Sequence, residues 1–134
     1  MHRLNRNIKE LLESSKTIAV VGLSDSPKRT SYQVTRVMQA RGYRIIPVNP
    51  NCSEILGEKC YPSLLDVPGQ IDIVNVFRRP EFVPEIVAQA VKIKAKAVWM
   101  QLGVIHETAA RTALEAGLQV VMDHCIKVEH SIYF

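Results

Sequence analysis

Aromatic residues are scarce in this sequence: one tryptophan, three phenylalanines and four tyrosines among 134 residues. That scarcity argues against a surface built to stack nucleic-acid bases, and no helix-turn-helix, zinc-finger or aromatic RNA-recognition signature makes up for it. Cysteine is short too. Cys52, Cys60 and Cys125 are odd in number and show no CxxC or CxxH spacing. This pattern argues against a disulfide framework and a zinc site, and it fits a reduced, cytoplasmic protein. No apolar run reaches the roughly 20 residues of a membrane span. The opening segment MHRLNRNIKELLESS is amphipathic and too polar for a secretory leader.

What is present is ordinary for a globular chain. Hydrophobic residues make up 47%, enough for a real core in one domain spanning 1–134, and the formal net charge is +4. A modest basic excess suits a phosphate-bearing small ligand as well as it suits nucleic acid. The basic residues are spread along the chain rather than gathered, so the expected partner is a small molecule, with neither nucleic acid nor membrane.

Two periodicities alternate along the chain. Leu4, Ile8, Leu11 and Leu12 recur at helical spacing. TIAVVGL then runs continuously apolar and β-branched, as a strand buried on both faces does. Val34, Val37 and Met38 mark a helix that Thr30 or Ser31 can cap and Gly42 can end. YRIIPVNP reads as the second strand, followed by a loop-rich stretch with one short helical turn at Ser63–Asp66. IDIVNVF is the third strand, Pro80–Lys94 a helix, AKAVWMQLG the fourth strand, Glu107–Ala116 a helix and LQVVMD the fifth strand. Alternating apolar strands and helices predict an α/β fold. The expectation is a single Rossmann-like, doubly wound sheet of five parallel strands in the order 3-2-1-4-5, with an extra N-terminal helix. Ligands of such sheets bind beyond the carboxyl ends of the strands, where the winding reverses.

The first of those ends is poor in glycine. A dinucleotide loop reads G-x-G-x-x-G, but after Gly22 the second and third glycine positions hold Ser24 and Pro27. The phosphate-binding pattern G-x-x-x-x-G-K-[ST] is absent as well. In their place stand the backbone N–H groups from Leu23 onward, the hydroxyls of Ser24, Thr30 and Ser31, and the cations Lys28 and Arg29. All of these lie ahead of a helix N-terminus, a set suited to phosphate. An acidic residue is also missing from the end of the second strand, where an NAD site hydrogen-bonds the ribose. Asn49 stands there instead. A neutral side chain suits a ligand with a phosphorylated ribose, so NADP and coenzyme A fit and NAD does not.

Taken in order, IAVVGLSDSPKRTSYQV, GYRIIPVNP, IDIVNVFRRPE, AVWMQLGV and GLQVVMDHCIKVEH resemble the stand-alone CoA-binding domain proteins, the YccU-like group. A more distant resemblance runs to the CoA-binding domain of succinyl-CoA synthetase alpha subunits and NDP-forming acyl-CoA synthetases. The resemblance implies a Rossmann-like fold that binds CoA. It assigns Gly22, Leu23, Ser24, Lys28, Arg29 and Ser31 to the diphosphate, and Val48, Asn49 and Pro50 to the adenosine. Phe77 and Arg78 would close the nucleotide side, with Gln101 and Gly103 along the pantetheine path. Relatives often carry Lys where this chain has Asn51, so the cation for the 3′-phosphate falls to Lys28, Arg29 or Arg78.

No carboxylate–histidine–nucleophile set is apparent, and the expectation is a binding module without catalytic or metal-ligating residues. Cys125 reads as a small packed hydrophobe, His106 and Glu107 as a helix start, Asp72 and Asp123 as caps or turns, and Trp99 as core. Two rivals follow: an NADP-dependent oxidoreductase, and a subunit lending its CoA site to a larger ligase or acyltransferase. An exposed apolar patch would favour the second.

Overall fold

The computed structural model describes residues 2–134. A short helix α1 (Ile8–Ser14) leads into β1 (Thr17–Val21), α2 (Thr30–Ala40) and β2 (Arg44–Val48). A hairpin of β3 (Glu54–Ile55) and β4 (Glu58–Lys59) and a single 3-10 turn at Leu64–Asp66 follow. Then come β5 (Ile73–Val76), α3 (Val83–Lys92), β6 (Ala97–Met100), α4 (Glu107–Glu115), β7 (Gln119–Met122) and α5 (Ile126–Tyr133).

The pleat explains why the strands are apolar without alternation. Ile18, Val20, Ile45, Ile73, Trp99 and Val121 face α1, α2 and α5, where they meet Leu11, Leu12, Val34, Met38 and Ile126. The residues between them, Ala19, Val21, Ile46, Val74, Val98, Met100 and Val120, face α3 and α4 and meet Val83, Ile86, Val87, Ala110 and Leu114. With a helix layer on each side, every position of the five-stranded sheet is buried except Thr17, Arg44 and Gln119, which begin their strands.

The large sheet runs β2-β1-β5-β6-β7 and every pair in it is parallel. The segment expected as the third strand, Ile71–Phe77, therefore lies beside β1 rather than outside β2. Tyr61 holds the outer place through a single parallel bridge to Val48, its N–H donating to Pro47 O at 3.0 Å. With Tyr61 counted as the third strand, the order reads 3-2-1-4-5-6, the expected winding with its third strand cut to one residue. Pro62 follows at once and has no N–H to continue the ladder.

Two elements escape the periodic pattern. In the β3–β4 hairpin, Leu56 (φ 56°) and Gly57 (φ 77°) form the turn with left-handed backbone at both central residues. Leucine seldom takes that place, and two-residue strands carry no periodicity. The other is α5, in which Ile126 and Glu129 are the only buried residues.

Polar side chains hold the amino ends of the strands. Asp72 Oδ2 accepts hydrogen bonds from the N–H groups of Lys16 (2.7 Å) and Thr17 (3.1 Å), joining the starts of β1 and β5. At the same end Tyr43 OH donates to Leu12 O at 2.6 Å, and burial pushes its phenol above the ordinary value. Beside it, His130 stacks on Phe134, meets Tyr43 edge-on, and presents Nδ1 to Arg41 Nη1 at 3.1 Å. Burial, and then the Arg41 charge, hold the His130 imidazole below its usual range. The folded chain therefore resists a proton that the unfolded chain accepts below about pH 6.5. Stability conferred by the neutral ring should be full above that pH and fall as the solution is acidified through the lowered folded value. Melting temperatures from neutral pH to pH 5 should decline more steeply for the native chain than for His130→Gln; equal slopes would remove His130 from the account.

Candidate functional site

Beyond the carboxyl ends of β1 and β5 the chain departs in opposite directions, toward α2 on one face and α3 on the other. The last ladder contact there is Phe77 N–H to Val21 O at 2.9 Å. Gly22 follows, with φ +87° and its N–H donating to Val48 O at 3.0 Å. A β-carbon at this position would overlap the Phe77 carbonyl oxygen and stand 2.8 Å from Arg78 Cδ. Gly22 is thus required twice, by its left-handed backbone and by contact with the neighbouring strand end. The Arg78 side chain crosses Gly22, and its guanidinium lies over the Phe82 ring at 4.2 Å.

The loop from Ser24 to Thr30 is folded on its own hydroxyls. Ser24 N–H donates to Ser31 Oγ and Ser26 N–H to Ser24 Oγ, both at 3.0 Å. Gln33 Nε2 donates to Pro27 O at 3.2 Å. The expected cap by Thr30 or Ser31 does not form. Thr30 is already helical, Arg29 occupies the cap position, and Ser31 Oγ is committed to Ser24. No side chain caps α2, and its first turn holds no acidic residue. The amide donors and positive dipole end of α2 are left for an anion.

Asn49 joins the next loop to this one. Its Nδ2 donates to Leu23 O at 2.9 Å, while Oδ1 accepts from Asn51 N–H at 2.8 Å. An aspartate could not make the first bond. The amide thus has a structural reason for standing here, beside its neutrality toward a ligand.

Two clefts flank the Gly22–Phe77 contact. One, of about 520 Å³, opens beside Gly22, Asn49, Pro50, Arg78, Phe82 and Glu85. The other, of about 380 Å³, opens between the start of α2 (Thr30, Ser31) and Phe77, Gln101, Leu102, Val104 and Cys125. The first mixes polar and apolar groups; the second is largely apolar. Gln101 forms the floor of the second cleft and is 4% exposed. Its Oε1 accepts from Asn75 Nδ2 (3.2 Å) and from the N–H of Ile126 (3.3 Å), locking β5, β6 and the start of α5 together.

The structure brings Gly22, Val48, Asn49, Pro50 and Arg78 to the first cleft and Ser31, Phe77 and Gln101 to the second. Leu23 is wholly buried and offers only its backbone. Ser24 shapes the loop. Lys28 and Arg29 are exposed at its tip and line neither cleft. Gly103 also lies off both, its N–H held by Asp123 Oδ1 at 2.8 Å. Phe82, Glu85, Ile86 and Gln89 also line the first cleft and were not among the residues expected from the sequence. Their i, i+3, i+4, i+7 spacing was a usable signal, a helix face mixing polar with apolar groups.

Cys52 and Cys60 flank the hairpin. Partial burial and then the charge of the Asp25 carboxylate raise the Cys52 thiol above its usual range. Burial, followed by Cys52, Asp25 and Glu54, does the same for Cys60. A raised value makes each thiol less readily a thiolate, the form that reacts.

A doubly wound sheet with an uncapped helix N-terminus beside a cleft at its carboxyl edge defines a Rossmann-like domain whose candidate site suits a phosphate-bearing ligand. A family model of the CoA binding domain matches residues 16–131, and the chain belongs to that family. It is 50% identical to the uncharacterized protein YneT of Bacillus subtilis, over 93% of each chain. It is 31% identical to acetate–CoA ligase (ADP-forming) II of Archaeoglobus fulgidus, over 84% of this chain but only 17% of that one. A solved hypothetical protein from Pyrococcus horikoshii OT3 superimposes with a TM-score of 0.92 at 42% identity, over 95% of this chain and 89% of that one.

Gly22→Ala tests the strand-end contact. The alanine must hold a left-handed backbone and displace the Phe77 carbonyl or the Arg78 stem, so unfolding free energy should fall by more than about 2 kcal/mol. Urea denaturation measures it, and a loss under half of that would show that the two loops yield easily.

Proposed function

We propose that this chain binds coenzyme A across the carboxyl edge of its sheet. One observation carries the reading: the uncapped N-terminus of α2 borders the apolar cleft, and the mixed cleft opens on the other side of the Gly22–Phe77 contact, an arrangement that suits a ligand with phosphate at its middle. The diphosphate takes the first-turn amides, with Lys28 and Arg29 in the adjoining loop. The adenosine enters the cleft of Asn49, Pro50 and Arg78. The pantetheine arm runs along Phe77 and Gln101. An NADP molecule would put a second ribose, rich in hydroxyls, into the apolar cleft, whereas pantetheine is slim and mainly apolar. The family match supports the same choice.

Calorimetric titration of the purified chain should show binding of CoA, with NAD and NADP much weaker. Replacing Lys28 and Arg29 together by alanine removes charge-assisted contacts to phosphate, so CoA affinity should drop by roughly 10-fold or more. The melting temperature of the unliganded variant should be unchanged, because both side chains are exposed. NAD heat without CoA heat would sink the proposal.

A second reading, a CoA-site subunit serving a larger ligase, is favoured by exposed apolar groups. Leu102 is 67% exposed, and Ile105, Val128, Ile132 and Phe134 are also open to solvent. It predicts that the native particle size in the source cell's extract exceeds that of the purified chain. Val128→Glu with Ile132→Glu should abolish the difference; equal sizes at the outset would leave the chain on its own.

A further inference from the structure

The second cleft holds a thiol. Cys125 is half-buried in its wall, and Thr30 and Ser31 at the start of α2 line the same cleft. A ligand anchored by phosphate on α2 and extended through this cleft carries its far end toward Cys125. Independently of the cysteine, the floor also offers a ligand a hydrogen-bond donor. Among the described residues the Gln101 amide nitrogen donates to no protein acceptor, although its oxygen takes two hydrogen bonds and the residue is only 4% exposed. Among those residues the buried unpartnered side-chain atoms are Ser15 Oγ and Thr35 Oγ1, so the Gln101 nitrogen opens on the cleft as a donor that water or a ligand acceptor meets. Pantetheine, with two amide carbonyls between its phosphate and its thiol, has the acceptors to meet it.

Resting on the CoA reading above, we infer that Cys125 is a thiol–disulfide exchange site for CoA disulfide, which it captures as a Cys125–CoA mixed disulfide. The cleft suits this larger ligand. Its rim at Leu102 is open to solvent, so one CoA half fills the site while the other extends outside. The exchange balances without a further oxidant. Cys125 gives up its proton to solvent and its thiolate attacks one sulfur of the CoA disulfide. The Cys125–S–S–CoA bond forms as the CoA–S–S–CoA bond breaks, and the second CoA leaves as a thiolate that takes up a proton. One disulfide is lost and one gained. The other two cysteines line neither cleft, so selectivity among the three is part of the claim.

The test treats the reduced full-length chain with CoA disulfide, and separately with glutathione disulfide at the same micromolar concentration. Adduct formation is followed by intact mass and located by peptide mapping. Binding before exchange raises the local disulfide concentration to the millimolar range, so CoA disulfide should react about 100-fold faster. The adduct should map to Cys125 and be missing in Cys125→Ser. Mapping the native chain decides the site even if that variant fails to fold. Equal rates with the two disulfides, or an adduct on Cys52 or Cys60 instead, would overturn the inference. Calorimetry of the native chain with reduced CoA separates the two levels. Binding of CoA without selective exchange removes this inference alone, whereas no binding removes the CoA reading and this one with it.

Discussion

The site depends on one close contact, the backbone of Gly22 against the carbonyl of Phe77. Two adjacent parallel strands end there and send their chains to opposite faces of the sheet. A gap opens between the departing loops because a helix cannot lie directly over the strand ends from both sides. The absence of a side chain at Gly22 lets the strands stay paired to the point of departure. One cleft opens on each side of that contact, and the start of α2 lines one of them.

Around that contact, a few amide side chains do what ladder hydrogen bonds can no longer do. Asn49 ties the loop after β2 to the loop after β1, and Asn75 with Gln101 ties β5 and β6 to the start of α5. Each bridges backbone or side-chain groups from two or three separate segments. Loops held this way are organised before any ligand arrives, so less ordering cost falls on binding. The committed ends of these amides are structural. Among the amides of Asn49, Asn75 and Gln101, the Gln101 nitrogen belongs to a cleft-lining residue and donates to no protein acceptor.

Much of the architecture was legible from residue pattern. Runs such as TIAVV and IDIVNV have no polar face, and they became strands covered on both sides. His106 caps α4 as expected, accepting from Ala109 N–H at 3.0 Å. Asp72 and Asp123 hold backbone amides in the roles read for them. Periodicity failed where elements were too short or too polar to show it, in the two-residue strands of the hairpin and in α5. Tyr61 is the extreme case, since a strand of one residue has no pattern.

By itself the sequence determined the class of the fold, because covering both faces of a parallel sheet requires strands apolar throughout, and that requirement is local and visible. It also marked the loop suited to phosphate, since missing glycines and an absent acidic residue are read directly from position. Only the tertiary structure decided which of those residues meet. Lys28, Arg29 and Gly103 sit in the right loops yet line neither cleft. Phe82, Glu85 and Gln89 join the site from a helix more than 30 positions beyond Asn49. Hydrogen bonds and close packing between distant segments set those distances, and nothing in the order of residues along one segment records them.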